Sequence, residues 1–246
     1  MNQIIRENET IEDLQLNGLK LIQKKNAFRF CMDSVILADF ASIRPADTVV
    51  DLGTGNGILP LLLSGRKKGK RFYAIELQEE SAELAVRNMA LNGLDETVTV
   101  IRADAARASE YIGSCTADAV ICNPPYSEPN AALVSPFTEK AVARNQVSDT
   151  LDRFLAGAFD VLKGKGRISI VYPAAQMLSV MNKLQRHHLE PKRFRLVYPR
   201  IDKSPNLVLI EALKDAKPTL HPLPPMVIYD EQGNLTNELK SVYHMT

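Results

Sequence analysis

Short runs of β-branched and other apolar residues alternate along the chain with longer segments whose apolar residues recur at helical spacing. The short runs predict seven strands, at 48–52, 71–77, 97–104, 118–123, 167–173, 194–199 and 206–214. The longer segments predict helices at 78–93, 148–166 and 174–187. This alternation indicates an α/β fold with a mostly parallel, seven-stranded sheet and helices on both of its faces. We therefore predict a single Rossmann-like domain over residues 45–246, preceded by a cap segment over residues 1–44.

Composition narrows the class of protein without identifying it. The chain has 246 residues, of which 45% are apolar, and a net charge of +1. This charge argues against a strongly basic protein that binds nucleic acid non-specifically, although a local basic patch is compatible with it. The N-terminal segment has no continuous apolar core, and no run approaches the ~20 apolar residues of a membrane span. We expect a cytoplasmic protein with no membrane partner.

The cysteines add a prediction about redox environment. Cys31, Cys115 and Cys122 form neither a CxxC pair nor a spacing typical of metal ligands. We predict that all three are buried thiols in a reducing compartment, and that the protein holds no metal.

The segment VVDLGTGNGILP, residues 49–60, has the composition of a strand, a glycine-rich turn and the start of a helix. Gly53, Gly55 and Gly57 permit a sharp turn and a close approach of the backbone to a ligand. A dinucleotide fingerprint would need glycine in place of Ile58, which weighs against a nicotinamide cofactor. A generic strand-to-helix turn is the alternative to a ligand site.

Acidic residues stand near the ends of the first two predicted strands of the sheet. Asp51 precedes the glycine loop, and Glu76 follows Gly53 by 23 residues, where its carboxylate can accept hydrogen bonds from both hydroxyls of a ribose. The spacing D-x-G-x-G-x-G resembles motif I of the class I S-adenosylmethionine (AdoMet) methyltransferases. The resemblance implies AdoMet as the cofactor, held by Asp51, the loop glycines and Glu76. It also implies that Asp104, at the end of the third strand, contacts the adenine amine of the cofactor.

The sequence ICNPPY, residues 121–126, ends the fourth predicted strand in a rigid corner. Neither proline can donate a backbone hydrogen bond, and Pro124 restricts Asn123 to an extended conformation. The Asn123 side-chain oxygen and the Pro124 carbonyl are two acceptors that can hold both protons of a planar amine. The ring of Tyr126 can stack on a flat substrate, a contact that contributes about 1–3 kcal/mol. An ordinary strand followed by a turn is the alternative.

NPPY resembles motif IV of the amino-group methyltransferases, which implies that Asn123, Pro124 and Tyr126 are catalytic. A strong general base is not required, because the amine can lose its proton after methyl transfer. Most of the rate should then come from positioning and charge complementarity.

Longer blocks at 28–40 and 139–173, and SPNLVLIEALK near the end, resemble the bacterial tRNA(Val) adenine-N6-methyltransferases over nearly the whole chain. The resemblance implies methylation at N6 of the adenine next to the anticodon of valine tRNA. It also implies that Phe30 and Asp33 cover the methionine end of AdoMet; for these two, an amphipathic helix packed on the sheet is the alternative. Asn145 departs from the family pattern, in which histidine is expected.

Three basic clusters, at 19–30, 65–72 and 186–200, interleave Lys and Arg with aromatic residues, as suits contact with phosphates and bases. The second should lie away from the carboxyl ends of the strands, and lysines there are typical of a helix end. We predict tRNA contacts from the first and third clusters. The residues are Lys24, Lys25, Arg29, Lys192 and Arg193.

Other enzymes and classes share some of these features. NPPY also occurs in enzymes that methylate N2 of guanine in rRNA and in enzymes that methylate N5 of a glutamine side chain in a protein. The glutamine enzymes usually carry a helical N-terminal domain, for which the residues before position 45 leave little room. DNA adenine methyltransferases normally bring a target-recognition domain, which is not evident. From other classes, a nicotinamide oxidoreductase lacks the fingerprint glycine here, and a non-catalytic RNA-binding protein would not need NPPY.

Overall fold

A computed structural model describes residues 5–25, 32–125 and 139–244 of the chain. In chain order its elements are β1 (Glu9–Asp13), β2 (Lys20–Lys24), α1 (Met32–Phe40), β3 (Thr48–Leu52), α2 (Ile58–Gly65), β4 (Arg71–Glu76), α3 (Glu79–Leu91), β5 (Val98–Arg102), α4 (Ala108–Ile112), β6 (Ala117–Cys122), α5 (Glu139–Val161), β7 (Leu162–Pro173), α6 (Met177–Arg186), β8 (Leu189–Tyr198), β9 (Leu207–Lys214), β10 (His221–Pro222), β11 (Met226–Val227) and α7 (Asn237–Val242). Short 3₁₀ turns precede α4, at Ala105–Arg107, and α6, at Ala174–Gln176.

Nine strands form the central sheet, in the order β10-β8-β9-β7-β6-β3-β4-β5, with β11 beside β8. Strands β3 to β7 are parallel to their neighbours in this group, and β9 is antiparallel to both β7 and β8. The seven predicted strands are all present, and the mostly parallel α/β fold is confirmed. The two additional strands have two residues each and lie in the proline-rich segment 221–227, which has no apolar run to reveal them.

Helices cover both faces of the sheet, as predicted. Val49 contributes to an apolar core formed with α1, α2, α3 and α7, whereas Val50 contributes to a second core formed with α4, α5 and α6. Successive residues of a strand point to opposite faces, so one strand supplies both cores. Burial on both faces explains why these strands are nearly continuous apolar runs.

The prediction for the helix at 148–166 is wrong at both ends. Helix α5 runs from Glu139 to Val161, and Leu162 already belongs to β7, where it pairs with Ala117 of β6. The glycine-rich stretch after Leu162, predicted as the end of a helix, forms the first half of β7. Residues 163–166 lie between Leu162 and Arg167, the residues of β7 that pair with β6, at a register irregularity of the kind that glycine accommodates.

The prediction of buried thiols is correct for Cys122 and wrong for Cys115. Cys115 is exposed in the turn that leads into β6, where its φ is 53°. Cys31 lies outside the described residues.

The N-terminal segment contains an antiparallel hairpin that the pattern analysis did not predict. Strands β1 and β2 pair from Glu9↔Lys24 to Asp13↔Lys20, and Asn17 and Gly18 both have positive φ in the connection. An Asn-Gly pair between two short runs is a hairpin signal, and it could have been recognised here. The buried side chain of Asn88 in α3 bonds both the amide and the carbonyl of Ile22, at 2.7 and 3.0 Å, and so fixes the hairpin to the domain.

None of the helices within the described ranges is long and apolar enough to cross a membrane.

Candidate active site

The glycine loop after β3 is anchored to the end of β4 by backbone hydrogen bonds. The amides of Gly53 and Thr54 both donate to the carbonyl of Ile75, at 2.9 and 3.0 Å. Gly53 has a φ of +74°, and a Cβ at this position would lie 2.8 Å from the ring of Phe154 in α5. Any larger residue would therefore be strained in its backbone and would displace the ring.

Gly55 occupies the middle of the loop and is open on its outer side. Its φ is +59°, and a Cβ here would meet no atom within 4 Å. The loop thus presents bare backbone to the space in front of it, which suits a ligand that packs against the main chain.

Glu76 connects the loop to the next strand. One carboxylate oxygen accepts a hydrogen bond from the Gly55 amide at 2.9 Å, and the other accepts from the Gln78 amide at 2.8 Å. Each carboxylate oxygen can accept a second bond, so Glu76 can hold the loop and still bind hydroxyl groups of a ligand.

Asp51 is fully buried behind the loop. Neither of its carboxylate oxygens has a hydrogen-bond partner among the described residues, and the same holds for the buried hydroxyl of Thr54. Burial raises the pKa of Asp51 to about 7; the nearby Thr54 hydroxyl, although it makes no hydrogen bond of normal geometry, opposes the rise, and the negative charge of Glu76 adds to it. Buried polar atoms without partners are uncommon, and here they mark a position that can accept further hydrogen bonds.

Asp104 follows β5 and has a double structural role. One oxygen caps the 3₁₀ turn by accepting from the Ala106 amide at 2.9 Å, and the other forms an ion pair with Arg153 of α5. Burial alone would raise the pKa of Asp104, but the hydrogen bonds from Ala106 and Arg153 outweigh it and lower the pKa. The carboxylate is therefore ionised at neutral pH.

These elements surround a cavity of about 420 Å³ at the carboxyl edge of the parallel strands. The predicted residues that line it are Gly53, Gly55, Glu76, Asp104 and Asn123. The cavity lies within the range of small-molecule sites, and the carboxyl edge is where open α/β sheets bind ligands. Gly57 lies outside the lining and begins α2 as a left-handed N-cap residue with a φ of +84°.

Asn123 follows β6, and Glu76 ends β4. Strand β3 lies between these two strands, and both residues line the cavity. Its side-chain nitrogen donates to the hydroxyl of Ser34 in α1 at 3.3 Å. Pro124 is buried, and the exposed Pro125 lines the cavity. Asp33 lies in the first turn of α1, one residue before Ser34, and is half-buried.

Two of the predicted site residues, Tyr126 and Phe30, lie outside the described residues, as does Arg29 of the predicted RNA surface. The structure therefore brings together the loop, Glu76, Asp104 and Asn123, whereas Asp33 is neither in the cavity lining nor the residue of α1 that bonds Asn123.

The basic residues of the first cluster are on the hairpin. Lys24 forms an ion pair with the exposed Glu80, and Lys25 donates to the Glu7 carbonyl at 2.9 Å. Both ammonium groups are at the surface, where such pairs contribute little to stability and can be exchanged for other partners.

The third cluster divides into two cases. Lys192 donates to the Lys217 carbonyl and, at 3.0 Å, to the Thr219 hydroxyl. Arg193 pairs with Glu211 at 2.9 Å, donates to the Phe40 carbonyl at 2.6 Å, and stacks 4.4 Å from the centre of the Phe40 ring. These contacts join β8 to β9 and α1 and give Arg193 a structural role; its contact with RNA stays a prediction.

The site also contains residues that the sequence analysis did not single out. Arg153 and Phe154 of α5 and Ser34 of α1 are the main ones. Phe154 follows Leu151 by three positions and so lies on the same apolar face of the helix, which predicted only a core residue. Its contact with Gly53 depends on how α5 packs against the glycine loop. Ser34 is buried but stands between Asp33 and the apolar run that begins at Val35, so the sequence pattern did not distinguish it from an ordinary polar residue of the first helical turn.

No group of three His, Cys, Asp or Glu side chains in the described part of the chain is arranged to hold a metal ion.

Comparison with known proteins gives a family and a common fold. The family model "Methyltransferase small domain" matches residues 32–192. A tRNA1(Val) (adenine(37)-N6)-methyltransferase of Bacteroides thetaiotaomicron is 29% identical over 187 residues, which are 76% of this chain and 77% of that protein.

Among solved structures, a predicted O-methyltransferase of Agrobacterium tumefaciens, protein Atu636, superposes with a TM-score of 0.70 at 19% identity, covering 87% of this chain and 96% of the other. The M. jannaschii TYW2 structure in complex with AdoMet has a TM-score of 0.55 at 18% identity, covering 85% and 86%. Both likenesses concern the fold.

Proposed function

The chain belongs to the methyltransferase small domain family, and we propose that it transfers a methyl group from AdoMet to the exocyclic N6 amine of an adenine in tRNA. The adenine next to the anticodon of valine tRNA is the proposed target, in keeping with the names of its curated relatives. The protein is a cytoplasmic enzyme, with residues 1–44 as a cap and residues 45–246 as the catalytic domain.

The cofactor is AdoMet, and the described cavity has the groups that its parts require. Glu76 retains acceptor capacity for the two ribose hydroxyls, and ionised Asp104 can accept from the adenine amine. Gly53 and Gly55 let the ligand lie against the backbone, and Asp51 is buried in the strand that leads into the loop. When bound, AdoMet supplies an electrophilic methyl group on a positively charged sulfur.

Asn123 and Pro124 are proposed to hold the target amine. The lone pair of an adenine N6 is delocalised into the ring, so the nitrogen is a poor nucleophile. Acceptors directed at its two protons, the Asn123 side-chain oxygen and the Pro124 carbonyl, orient the amine and favour a more tetrahedral nitrogen. Tyr126 is proposed to stack on the adenine, as aromatic residues do on unstacked bases in RNA.

The remaining predicted residues are proposed to cover the cofactor and to bind RNA. Phe30 precedes α1 in the sequence and Asp33 lies in the first turn of α1, a helix that contacts Asn123 through Ser34. Lys24, Lys25, Arg29 and Lys192 are proposed contacts for tRNA phosphates; their positive charges suit a polyanion, and the described ones are at the surface.

One observation carries the proposal: an asparagine amide lies at the wall of the same 420 Å³ cavity that contains Glu76 and Asp104. This arrangement brings a cofactor site and an amine-binding group within one space. Methylation of guanine N2 or of glutamine N5 would use the same arrangement, so the substrate that receives the methyl group must be identified directly.

The test is methylation of purified, unmodified tRNA by the purified protein and AdoMet, followed by digestion and mass spectrometry of the nucleosides. We expect N6-methyladenosine, and its position should map to the adenine beside the valine anticodon. N2-methylguanosine as the product, or methylation of a release-factor glutamine with none of tRNA, would replace the proposal by the corresponding alternative.

A further inference from the structure

Helix α1 contains one buried hydroxyl group that contacts the proposed catalytic amide. Ser34 is 4% exposed and directly precedes the apolar run of α1, whose side chains fill the core beside α2 and β7. Its oxygen accepts a hydrogen bond from Asn123 Nδ2 at 3.3 Å. The contact joins two segments that are 89 positions apart in the chain, so tertiary packing alone brings them together.

The orientation of the Asn123 amide matters for the proposed reaction. An asparagine side chain has an acceptor on one side and two donors on the other. Only the oxygen can bind a proton of the target amine; a rotated amide would direct its own N–H groups at the N–H groups of the substrate. A hydrogen bond that engages Nδ2 on the α1 side leaves Oδ1 available as the acceptor.

We propose that Ser34 is a positioning residue for methyl transfer, which holds the Asn123 amide with its nitrogen toward α1 and its oxygen free for the substrate amine. This inference rests on the proposed function of Asn123 and adds a residue on a different element to it. Ser34 acts through Asn123, and cofactor affinity does not depend on it.

The first test compares Ser34→Ala with a matched control, Ser169→Ala. Ser169 is also buried and also makes a 3.3 Å hydrogen bond, to Glu211, but it lies in the middle of β7 away from the cavity. In single-turnover methylation of tRNA with saturating AdoMet, Ser34→Ala should lower the rate about 3- to 10-fold, the value of one net hydrogen bond. Ser169→Ala should leave the rate unchanged, and AdoMet affinity should change in neither.

Two further variants cover steric effects. Ser34→Thr keeps the hydroxyl and should restore most of the rate. Ser34→Cys nearly keeps the side-chain volume but offers only a weak hydrogen-bond acceptor, so its methylation rate should be low. If Ser34→Ala does not fold, Ser34→Cys takes its place in the comparison. A fast Ser34→Cys variant with normal AdoMet affinity would overturn the inference.

The decisive measurement repeats Ser34→Ala in an Asn123→Asp background. A carboxylate has two equivalent oxygens, so it presents an acceptor in either orientation and no longer needs to be oriented. The rate loss caused by Ser34→Ala should then shrink below about twofold, a coupling that a double-mutant cycle reveals. An undiminished loss would show that Ser34 affects the fold and not the amide.

The outcome for Asn123→Ala separates this inference from the proposed function. If Asn123→Ala methylates at the wild-type rate, the catalytic role of Asn123 fails and Ser34 has nothing to position. If Asn123→Ala is inactive but Ser34→Ala is as fast as the wild type, the proposed function stands and the positioning role alone is wrong.

Discussion

Two buried or half-buried aspartates at opposite edges of the parallel strands have very different surroundings. At the amino edge, Asp118 at the start of β6 accepts hydrogen bonds from the Lys163 ammonium at 2.7 Å and from the Thr48 amide at 2.9 Å. Near the carboxyl edge, Asp51 of β3 is fully buried, and its two oxygens have no partner among the described residues. The two carboxyl groups are on adjacent strands of one sheet.

Their pKa values differ accordingly. Burial would raise the pKa of Asp118, but the hydrogen bonds from Lys163 and Thr48 outweigh it, and the pKa falls below its ordinary value. The pKa of Asp51 rises to about 7, because the neighbouring Thr54 hydroxyl offsets only part of the effect of burial and no cation among the described residues lies beside the carboxyl group to lower it further. The carboxylate at the amino edge therefore stabilises the fold, whereas the one at the carboxyl edge costs stability when it is ionised.

Other polar side chains at the two edges of the sheet differ in the same way. Lys68, near the amino edge, donates to the carbonyls of Ala38, Asp39 and Ala41 at the end of α1, at 2.9 to 3.0 Å. At the carboxyl edge, Glu76 and Asn123 line a cavity. The amino edge uses its polar groups for internal structure, and the carboxyl edge keeps acceptors for a ligand. This difference predicts that substitutions at the two edges affect different measurements.

The largest effect is expected for Asn123→Ala. Loss of an acceptor that acts in the transition state should lower the rate of methyl transfer about 10²–10³-fold. Folding and AdoMet affinity should hardly change, because the side chain serves the substrate amine. Single-turnover methylation of a tRNA anticodon stem-loop, with AdoMet titration in parallel, measures both quantities. Asn123→Asp keeps an acceptor but adds charge beside the sulfonium, so partial activity is expected; a wild-type rate for Asn123→Ala would mean that NPPY is only a turn.

Glu76→Ala should weaken AdoMet binding about 10²-fold, since two hydrogen bonds to a charged acceptor are lost at ~1.5–3 kcal/mol each and the loop absorbs part of the change. Calorimetric titration measures the loss. Glu79→Ala is the matched control, because Glu79 is in the first turn of α3 nearby but forms an exposed ion pair with Arg102. Wild-type affinity in Glu76→Ala would exclude the ribose contact.

The two aspartates should give opposite dependences of stability on pH. The folded protein keeps the Asp51 proton up to a pH of about 7, while the unfolded chain releases it near 3.8. Wild-type stability should therefore contain a term that falls as pH rises from about 4 to 7 and is constant above. Asp51→Asn should remove this fall and be the more stable protein at pH 8, by on the order of 4 kcal/mol, since the pKa rises from 3.8 to about 7 and each unit is worth about 1.4 kcal/mol.

Asp118→Asn should behave in the reverse sense. Its lowered pKa stabilises the fold above about pH 4, and this contribution is lost as pH falls through the folded value. The variant should be destabilised at pH 7 and approach the wild type in acid. Urea unfolding at several pH values compares the two; the same pH trend in both variants would contradict the assignment.

These predictions also indicate how far sequence reasoning could go. The cavity residues Glu76, Asp104 and Asn123 stand at the ends of predicted strands that are parallel, and parallel topology brings the carboxyl ends of strands to one edge of the sheet. Their proximity therefore followed from the order of strands and helices.

Features that depend on packing between elements were not predictable in this way. The contact of Phe154 with Gly53 and that of Ser34 with Asn123 need the relative placement of helices and strands, which no local pattern contains. Basic residues were a further difficulty. The position of Lys68 near a helix end set it apart in the sequence, but Arg193 and Lys24 were both predicted to contact RNA. Only the structure shows that Arg193 is bonded within the protein, like Lys68, whereas Lys24 is at the surface.

Lys68→Met should lower stability by about 2 kcal/mol, because three carbonyls at the end of α1 lose a charged donor. For a chain of this length the melting temperature should fall by about 4–8 °C. Affinity for tRNA should be unchanged, since the ammonium is bonded within the protein. Lys67→Met is the control: Lys67 is the neighbouring exposed residue, and its loss should affect neither melting nor tRNA binding.

The smallest effect is expected for the joint change of Lys24 and Lys25 to Gln. Each ammonium has a surface partner, Glu80 for Lys24 and the Glu7 carbonyl for Lys25, so melting should change little. If both bind phosphates, tRNA affinity should fall a few-fold at low salt. The slope of log affinity against log salt should become shallower by up to about 1.4–1.8, because binding releases fewer counterions when two phosphate contacts are missing. Fluorescence titration of tRNA over a salt series gives both numbers. An unchanged slope, or a slope that is flattened by Lys68→Met instead, would move the RNA surface away from the hairpin and to the amino edge of the sheet.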